Sequence, residues 1–414
     1  MAVYLAQAIK LMELNNRNER ILLFLLATVQ FTNMMDFMIM MPLNVILGET
    51  FKISQKQFSL LVASYNISAF VSGISAAFLV DKYDRKKVLL FVYAGFIIGT
   101  IACALSPNYG FFLAARIVAG FFGGIIGAQV LAIVSDVVPY ERRGMAMGVI
   151  STAFSLSTIF GIPFGLLLND YFGWHSPFIF IAGLSTLILV LLNFFVPSIR
   201  SHMLHEKSAS AFSILPEIAR DRNLQAALLL MFTVILGNFL VIPFISKYMV
   251  GNVGFETEQL KYIYLTGGLA SMISAPIVGR LSDKLGKAKV YITTVVYSFV
   301  PLFIITNLGP TPIAWALVVT TLFFVAGARM IPAQAMVSGT VHPKERGSFM
   351  NINSALTQLA AGIATVIGGM IVSENADGSL NNYNIVGYLS IIICASSLWF
   401  ALRVKPKEMG VVKG

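Results

Sequence analysis

The sequence predicts an all-α membrane protein in which twelve transmembrane helices form two pseudo-symmetric bundles of six. Three observations predict this fold. Apolar stretches of about 20 residues, long enough to cross a bilayer, recur along the chain; charged residues make up only 12% of it; and a charged loop occurs twice at a long spacing. A soluble domain would carry about twice that charge, and the strands of a membrane barrel would alternate in polarity over shorter segments.

Each apolar stretch predicts one span, and the spans are numbered in chain order. Their predicted limits are 21–47, 58–80, 88–105, 110–138, 145–168, 177–196, 224–250, 260–281, 290–308, 313–341, 349–372 and 385–402.

Two pairs of loop motifs repeat at nearly the same spacing. The charged loop at 77–87 follows span 2, its counterpart at 279–289 follows span 8, and their acids Asp81 and Asp283 lie 202 residues apart. A Pro-x-Glu-Arg element precedes spans 5 and 11, with Glu141 and Glu345 separated by 204 residues. Alternating access requires two similar halves that rock against each other, so the repeat indicates a transporter.

The longest polar interruption divides the chain into two halves. The predicted organisation is an N-terminal segment at 1–20, a six-helix bundle at 21–197, a linker at 198–222, a second bundle at 223–404 and a tail at 405–414.

The positive charge of the chain is distributed unevenly. Of the 29 Lys and Arg residues, 23 lie in the two terminal segments, the linker and the loops between spans 2–3, 4–5, 8–9 and 10–11. In a twelve-span protein all of these lie on one side, which the positive-inside rule makes cytoplasmic. We therefore expect a multi-pass inner (plasma) membrane protein with both termini cytoplasmic. The net charge of +10 does not indicate a nucleic-acid partner.

The sequence predicts no enzyme and no cofactor. Cys103 and Cys394 lie inside apolar stretches, and the four histidines form no metal-binding pattern. No Gly-rich phosphate loop and no nucleophile–base motif is evident, so transport driven directly by ATP is not expected.

The repeated loop resembles the signature of the major facilitator superfamily, roughly Gly-x-Leu-x-Asp-Arg-x-Gly-Arg-Lys. The copy that begins at Gly279 follows it well, whereas the first copy has Ala77 in place of the first glycine and Asp84 in place of the second. The resemblance covers essentially the whole chain. It implies two six-helix bundles in which spans 1 and 4 line a central cavity.

Within that superfamily the chain looks most like the twelve-helix drug- and sugar-efflux branch of proton antiporters. The match consists of Asp36 in span 1, Arg116-x-x-x-Gly120 in span 4, and Gly161-x-Pro163-x-Gly165 in span 5. Typical drug antiporters have adjacent Gly and Pro in span 5. Ile162 separates them here, as is more usual in the arabinose-efflux-like group.

Asp36 and Arg116 are the strongest candidates for proton coupling, because charges in the hydrocarbon core are costly and usually functional. At about 1.5 Å of rise per residue, both lie at nearly the same depth, in the half of the bilayer away from the termini. Burial disfavours an ionised carboxyl and a nearby guanidinium favours it, so movement could load and release a proton at Asp36. The alternative is a static ion pair that fixes helix packing.

Arg329 is a third charge near the middle of the membrane. It has no counterpart at the matching position of span 4, near Ile125. It could attract an anionic substrate, or it could pair with Asp36 or with a helix carbonyl, because Pro332 frees a carbonyl one turn earlier.

Further polar side chains inside the spans are candidates for substrate contact, although helix–helix hydrogen bonds are the commoner role of such residues. They are Asn33, Tyr65, Asn66, Gln129, Asn238 and Gln334, together with Asn353 and Gln358. Asn33 and Tyr65 are favoured because they lie near the depth of Asp36.

The charged loops are candidates for a cytoplasmic gate. The family resemblance implies that Asp81 and Arg85 engage neighbouring charges, with Asp136 and Arg142 as candidate partners, and thereby stabilise the outward-open state. Asp283 and Arg346 are further candidates in the second half. The alternative is that these loops only enforce topology.

The function expected from the sequence is secondary active transport by a monomer in the lipid bilayer. Proton-coupled efflux (antiport) of a small organic solute or drug is favoured. A facilitator or proton symporter of a small metabolite remains open, and a lipid translocase is a further alternative. The partners are then a small-molecule substrate and protons.

Overall fold

The structure, a computed structural model, describes residues 16–79, 83–138, 142–199, 214–341 and 346–407. Within them the predicted twelve-helix membrane fold is confirmed. Eleven helices are long and apolar enough to cross a membrane. The remaining span, the fifth, is divided by a π-helical turn into segments of 14 and 11 residues.

Nine spans are single helices among the described residues. They are spans 1 (Asn16–Ile39), 2 (Gln55–Leu79), 3 (Arg85–Ala104), 4 (Tyr109–Val137), 6 (Ser176–Phe195), 8 (Leu260–Leu285), 9 (Lys287–Thr306), 11 (Arg346–Ile371) and 12 (Tyr383–Arg403).

The other three spans change helix type along their length. Span 5 comprises Arg143–Leu156, the π turn Ser157–Gly161 and Ile162–Phe172. Span 7 comprises Arg222–Val241, the 3-10 turn Ile242–Phe244, Ile245–Tyr248 and the π turn Met249–Val253. Span 10 comprises Ile313–Ala326, the 3-10 turn Gly327–Arg329 and Met330–Ser338. Short helices at Asn44–Phe51, Leu215–Arg220 and Thr257–Gln259 lie between spans.

Prolines explain where the helices depart from the predicted limits. Span 1 was expected to reach residue 47, but its helix ends at Ile39, and a turn containing Pro42 separates it from the next helix. Pro163, Pro243 and Pro332 lie in or just after the irregular turns of spans 5, 7 and 10. A proline has no backbone N–H to donate to the preceding turn, so the regular hydrogen-bond ladder is interrupted there.

The loop between spans 11 and 12 forms a small antiparallel hairpin that the sequence analysis did not predict. Strand β1 (Ser373–Glu374) pairs with β2 (Leu380–Asn381). Its turn includes Gly378 at a φ of 83°, a conformation that glycine adopts without strain. The hydroxyl and backbone N–H of Ser379 donate to Asp377 and hold the pKa of that exposed carboxyl below its usual value.

The two ends of the bundle can be told apart by their contacts. At one end, here called the linker end, the side chain of Asn223 hydrogen-bonds the backbone of Lys405, and the backbone N–H of Arg85 donates to the carbonyl of Ile199. This end therefore carries the linker and the C-terminal tail. The opposite end, called the distal end, carries the helix Asn44–Phe51 and the β-hairpin.

Glycines allow helices to pack closely within and between the halves. A Cβ at Gly124 of span 4 would lie 2.6 Å from the Cα and the carbonyl oxygen of Ala69 in span 2. Across the halves, span 11 meets span 2 at Gly362 and Ile67, and span 8 meets span 5 at Gly268 and Ile159. Small residues at such crossings let two backbones approach within van der Waals contact.

We expect Gly124→Ala to destabilise the protein, by about 1–3 kcal/mol, because the added methyl would collide with backbone atoms that cannot move independently. Gly127→Ala, one turn further along span 4, is the matched control, since nothing lies within 4 Å of its Cβ position. Thermal unfolding of the purified variants in detergent measures the difference. Equal melting temperatures for the two variants would contradict the packing described here.

Candidate functional site

Asp36 and Arg116 form a completely buried ion pair between spans 1 and 4. Nη1 of Arg116 lies 2.8 Å from Oδ2 of Asp36, and both side chains are 0% exposed. The hydroxyl of Thr100 in span 3 donates to Oδ1 of Asp36 over 3.3 Å. Each carboxylate oxygen therefore has one donor, and these donors come from two different helices.

The arginine of this pair is only partly satisfied by hydrogen bonds. Its Nε and Nη2 have no partner in the part of the chain that the structure describes. Its guanidinium carbon instead lies 4.5 Å from the centre of the Tyr65 ring in span 2, where the face of the ring attracts a cation. An arginine held by one carboxylate and one aromatic face can reorient if that carboxylate changes charge.

Tyr65 and Asn33 connect the ion pair to span 4. The Tyr65 hydroxyl donates to Oδ1 of Asn33 over 2.8 Å, and Nδ2 of Asn33 donates to the carbonyl of Gly123 over 3.2 Å. A Cβ at Gly123 would collide with the Tyr65 hydroxyl, so a larger residue there would displace the Tyr65 side chain. The two favoured substrate candidates are thus buried and hydrogen-bonded to each other in this conformation.

An aromatic contact joins the neighbourhood of the pair to the other half. Phe37, the residue after Asp36, packs against Tyr65 with ring centres 5.3 Å apart. It also packs against Phe239 of span 7 at 5.9 Å. Asp36 is therefore adjacent in sequence to a residue, Phe37, that contacts the other half.

Arg329 has partners that the sequence analysis did not foresee. Its Nη2 donates to Oδ1 of Asn238 in span 7 and, over 3.6 Å, to the sulfur of Cys394 in span 12. Of the alternatives to substrate contact, neither a pairing with Asp36 nor one with a helix carbonyl is found among the described residues. Arg329 is 1% exposed, and its Nε has no partner among the described residues.

The remaining substrate candidates fall into two groups. Asn66 and Gln129 are buried, and the side-chain carbonyl oxygen of each has no partner among the described residues, as is also true of Asn353. Gln334 is exposed and Gln358 is partly exposed, both in the linker-end half of their spans. The structure does not bring these residues together with Asp36.

The described gate candidates lie at the linker end, where two ion pairs involve them. Nε of Arg85 lies 3.1 Å from Oδ2 of Asp136, which joins the start of span 3 to the end of span 4. Arg142 instead lies 2.9 Å from Glu19 of span 1. Asp283 and Arg346 are exposed, and no ion pair joins either to another described residue. Asp81 lies outside the described residues.

Asp84 has a structural role that its departure from the family signature could have suggested. It caps the start of span 3 by accepting from the backbone N–H of Lys86 over 2.9 Å. It also accepts from the hydroxyl of Ser198 and from the backbone N–H of Ile199, just after span 6. The carboxylate thereby fastens two helices together at the linker end.

The distal end is closed by a polar network that crosses between the halves, and the sequence analysis missed it. Nδ2 of Asn44 lies 3.1 Å from both Oε1 of Gln55 and the carbonyl of Pro243 in span 7. Gln55 donates over 3.0 Å to Glu374 in the hairpin, which also binds Lys247 of span 7 at 2.7 Å. Lys247, a cation within a predicted apolar stretch, was the available signal.

The linker end is open in comparison. On span 8, no residue between Gly268 and Ser282 is buried on any face. On span 11, residues 360–369 are mostly buried, whereas most of residues 346–359 are not. The distal halves of spans 8 and 11 are therefore more buried than their linker-end halves, and the polar network between the halves lies at the distal end.

No group of three or more His, Cys, Asp and Glu residues in the described part of the chain could hold a metal ion. The arrangement holds two opposite charges in contact at a place that solvent does not reach.

Comparisons with known proteins agree with this architecture. The family model described as Major Facilitator Superfamily matches residues 26–237 and again residues 227–414. A solved structure of a D-xylose-proton symporter superposes with a TM-score of 0.74 at 15% identity, covering 93% of this chain and 98% of that one. At that identity the likeness shows a shared fold.

Two relatives are named as efflux proteins. A "Probable sugar efflux transporter" of Helicobacter pylori (strain ATCC 700392 / 26695) is 26% identical over 238 residues, which cover 58% of this chain and 60% of the relative. A "Multi-drug resistance efflux pump PmrA homolog" of Lactococcus lactis subsp. lactis (strain IL1403) is 24% identical over 343 residues, which cover 81% of this chain and 83% of the relative. With a family match over nearly the whole chain, this protein belongs to the major facilitator superfamily and is a membrane transporter, not an enzyme.

Proposed function

We propose that the protein is a proton-coupled antiporter that exports a small organic solute across the inner membrane by alternating access. The observation that carries the proposal is the ion pair of Asp36 and Arg116, two charges that are 0% exposed inside a membrane protein. The names of the sugar- and drug-efflux relatives support the direction of transport.

In this mechanism the proton and the conformation are coupled through Asp36. A proton on this carboxyl removes the negative partner of Arg116, so the guanidinium loses its ionic contact. Such a loss inside a low-dielectric interior is costly, and it is relieved when a rearrangement gives Arg116 a new environment. The contacts of Tyr65 with Phe37, and of Phe37 with Phe239 of the other half, are the route by which that rearrangement reaches the interface.

The proposed orientation places the linker end in the cytoplasm. The positive-inside rule supports it, because 23 of the 29 Lys and Arg residues fall in the terminal segments, the linker and the loops that the sequence assigns to that side. The present state would then be open to the cytoplasm, ready to take up a solute for export. The exposed Gln334, together with Asn66 and Gln129, would line the path of the solute, with the alternate state opening at the distal end.

The proton-coupling claim predicts the behaviour of Asp36→Asn. The variant cannot bind the coupling proton, so we expect proton flux triggered by substrate to fall at least tenfold. The measurement uses proteoliposomes with a trapped pH dye, challenged with amphiphilic cations, organic anions and sugars. Glu49→Gln, a change at an exposed acid of the helix Asn44–Phe51, is the control and should retain wild-type flux.

A second variant separates loss of coupling from loss of folding. Asp36→Asn leaves Arg116 unpaired, which can cost about 3–5 kcal/mol. Asp36→Asn combined with Arg116→Gln removes both charges, and we expect it to fold and to move solute without protons. Substrate-driven proton flux at the wild-type rate in either variant would make the pair a structural element and favour a different proton site or a facilitator.

The distal network predicts a shift in the conformational equilibrium. Gln55→Ala removes the link from span 2 to Glu374 and the contact with Asn44, so the distal end should open more often. Spin labels at the exposed residues Thr152 and Arg280, in spans 5 and 8, would report a larger population with the linker end closed. Lys56→Ala, an exposed neighbour, is the control. An unchanged distance distribution in Gln55→Ala would refute a role in closure.

The proposed gate predicts the opposite shift for Asp81→Asn. We propose that Asp81, Arg85, Asp136, Arg142, Asp283 and Arg346 act on the linker-end closure. Loss of the Asp81 charge should then favour the state open at the linker end, and the same spin labels should report fewer short distances. A wild-type distribution would mean that the charged loop only sets topology.

A further inference from the structure

The two halves contain related polar pairs that differ in charge. Asp36 of span 1 and Asn238 of span 7 are 202 residues apart, the spacing that separates the loop acids Asp81 and Asp283. Asp36 binds Arg116 of span 4, and Asn238 binds Arg329 of span 10, the corresponding helix of the second half. Asn238 is therefore the pseudo-symmetric counterpart of Asp36, with an amide in place of the carboxylate.

The two arginines lie at different positions along their helices, although their side chains contact equivalent residues of spans 1 and 7. Arg329 corresponds to about residue 125 of span 4, some nine residues nearer the linker end than Arg116. Nine residues amount to roughly 13 Å along a helix. Since both guanidinium groups meet equivalent residues of spans 1 and 7, Arg116 approaches from the distal side and Arg329 from the linker side, which is the open side.

The amide leaves one buried charge without a counter-charge. Among the described residues, the charged side chains that are at most 1% exposed are Asp36, Arg116 and Arg329. The first two neutralise each other. The partners of Arg329 are an amide and the thiol of Cys394, and no described acid lies within ion-pair distance of it. The centre of the protein therefore carries a net charge of +1 while Asp36 is ionised.

An unpaired buried cation is costly unless something compensates it. A carboxylate is the best-matched partner of a guanidinium, because it accepts two parallel hydrogen bonds. Arg329 has donor capacity for such a bond, since its Nε is unused. A ligand carboxylate can replace the Asn238 amide as the partner of Arg329, because a displaced amide is neutral. A displaced carboxylate would instead remain as an unpaired buried charge.

The surroundings favour an acid with an apolar body. Phe239, the residue after Asn238, packs against Phe37 of the other half. On the same helix as Arg329, Gln334 is exposed about one turn nearer the open end. A solute that enters from the linker end would pass Gln334 before it reaches Arg329. The aromatic contact of Phe37 with Phe239 lies one residue along span 7 from the amide that binds Arg329.

We propose that Asn238 is a specificity-determining residue: its neutral amide leaves Arg329 free to bind the carboxylate of an apolar organic acid, which is the transported substrate. The proposal rests on the transport function proposed above and names its substrate class. Asn238 acts through Arg329, so it is a positioning residue, whereas Arg329 contacts the acid.

Binding to the purified protein tests this proposal without requiring proton coupling. The probes are benzoate, phenylacetate and hexanoate, each compared with its uncharged amide. A ligand that binds only the folded state raises the melting temperature in proportion to its occupancy. In the wild type we expect stabilisation by at least one of the carboxylates and none by its amide.

Asn238→Asp supplies the missing counter-charge in a side chain of nearly the same shape. We expect it to fold with at least wild-type stability, and to weaken binding of the stabilising carboxylate at least tenfold. Asn252→Asp introduces the same change at an amide of this half that hydrogen-bonds Leu380 in the hairpin, and it should retain binding. Arg329→Gln should also lose binding of the acid, with its melting temperature without ligand as the control for folding.

The outcomes separate this proposal from the transport function. Equal stabilisation by acids and amides, binding of none of the three acids, or undiminished acid binding by Asn238→Asp would overturn the substrate class. Each of these results leaves the proton-coupling experiment on Asp36 unaffected. Loss of proton coupling in Asp36→Asn with equal binding of acids and amides would retain the antiporter and reject the role of Asn238.

Discussion

The constraint on which the structure depends is that a hydrocarbon interior does not solvate charge. Every ionisable group placed there must find a partner in the protein or be neutralised by a proton. Asp36 and Arg116 satisfy this requirement through each other, at 2.8 Å and without exposure. The pair is consequently sensitive to protonation, because a single proton converts a neutral pair into an isolated buried cation.

The helices are built to hold such groups and still to move. Glycines of span 4 bring spans 2 and 4 into backbone contact around Tyr65, and prolines interrupt spans 5, 7 and 10 near the level at which the halves meet. In the proposed mechanism the interrupted helices let the halves move against each other. At the distal end the halves are joined by hydrogen bonds, by the ion pair of Lys247 and Glu374, and by the close packing of span 11 on span 2 at Gly369 and Ser59.

The sequence alone predicted most of the fold and part of the site. Hydropathy and the 202-residue repeat were sufficient for the spans, because a membrane helix must be apolar over its whole length. Asp36 and Arg116 were identified because charges there are rare. The partners of Arg329 were not predicted, since an amide and a thiol look like ordinary packing residues until their contacts are known. The distal network was missed because Asn44, Gln55 and Glu374 are far apart in sequence and lie near span ends, where polar residues are common.

The central claim is that Asp36 takes up a proton while it remains inside the membrane protein. Infrared difference spectroscopy on lipid-embedded protein, recorded as the pH is lowered, measures this directly through the carbonyl stretch of a protonated carboxyl group. The account predicts a band of a buried protonated carboxyl that appears in the wild type and is absent from Asp36→Asn. A wild-type spectrum with no such band over the range in which the protein transports, or a band that persists in Asp36→Asn, would contradict it.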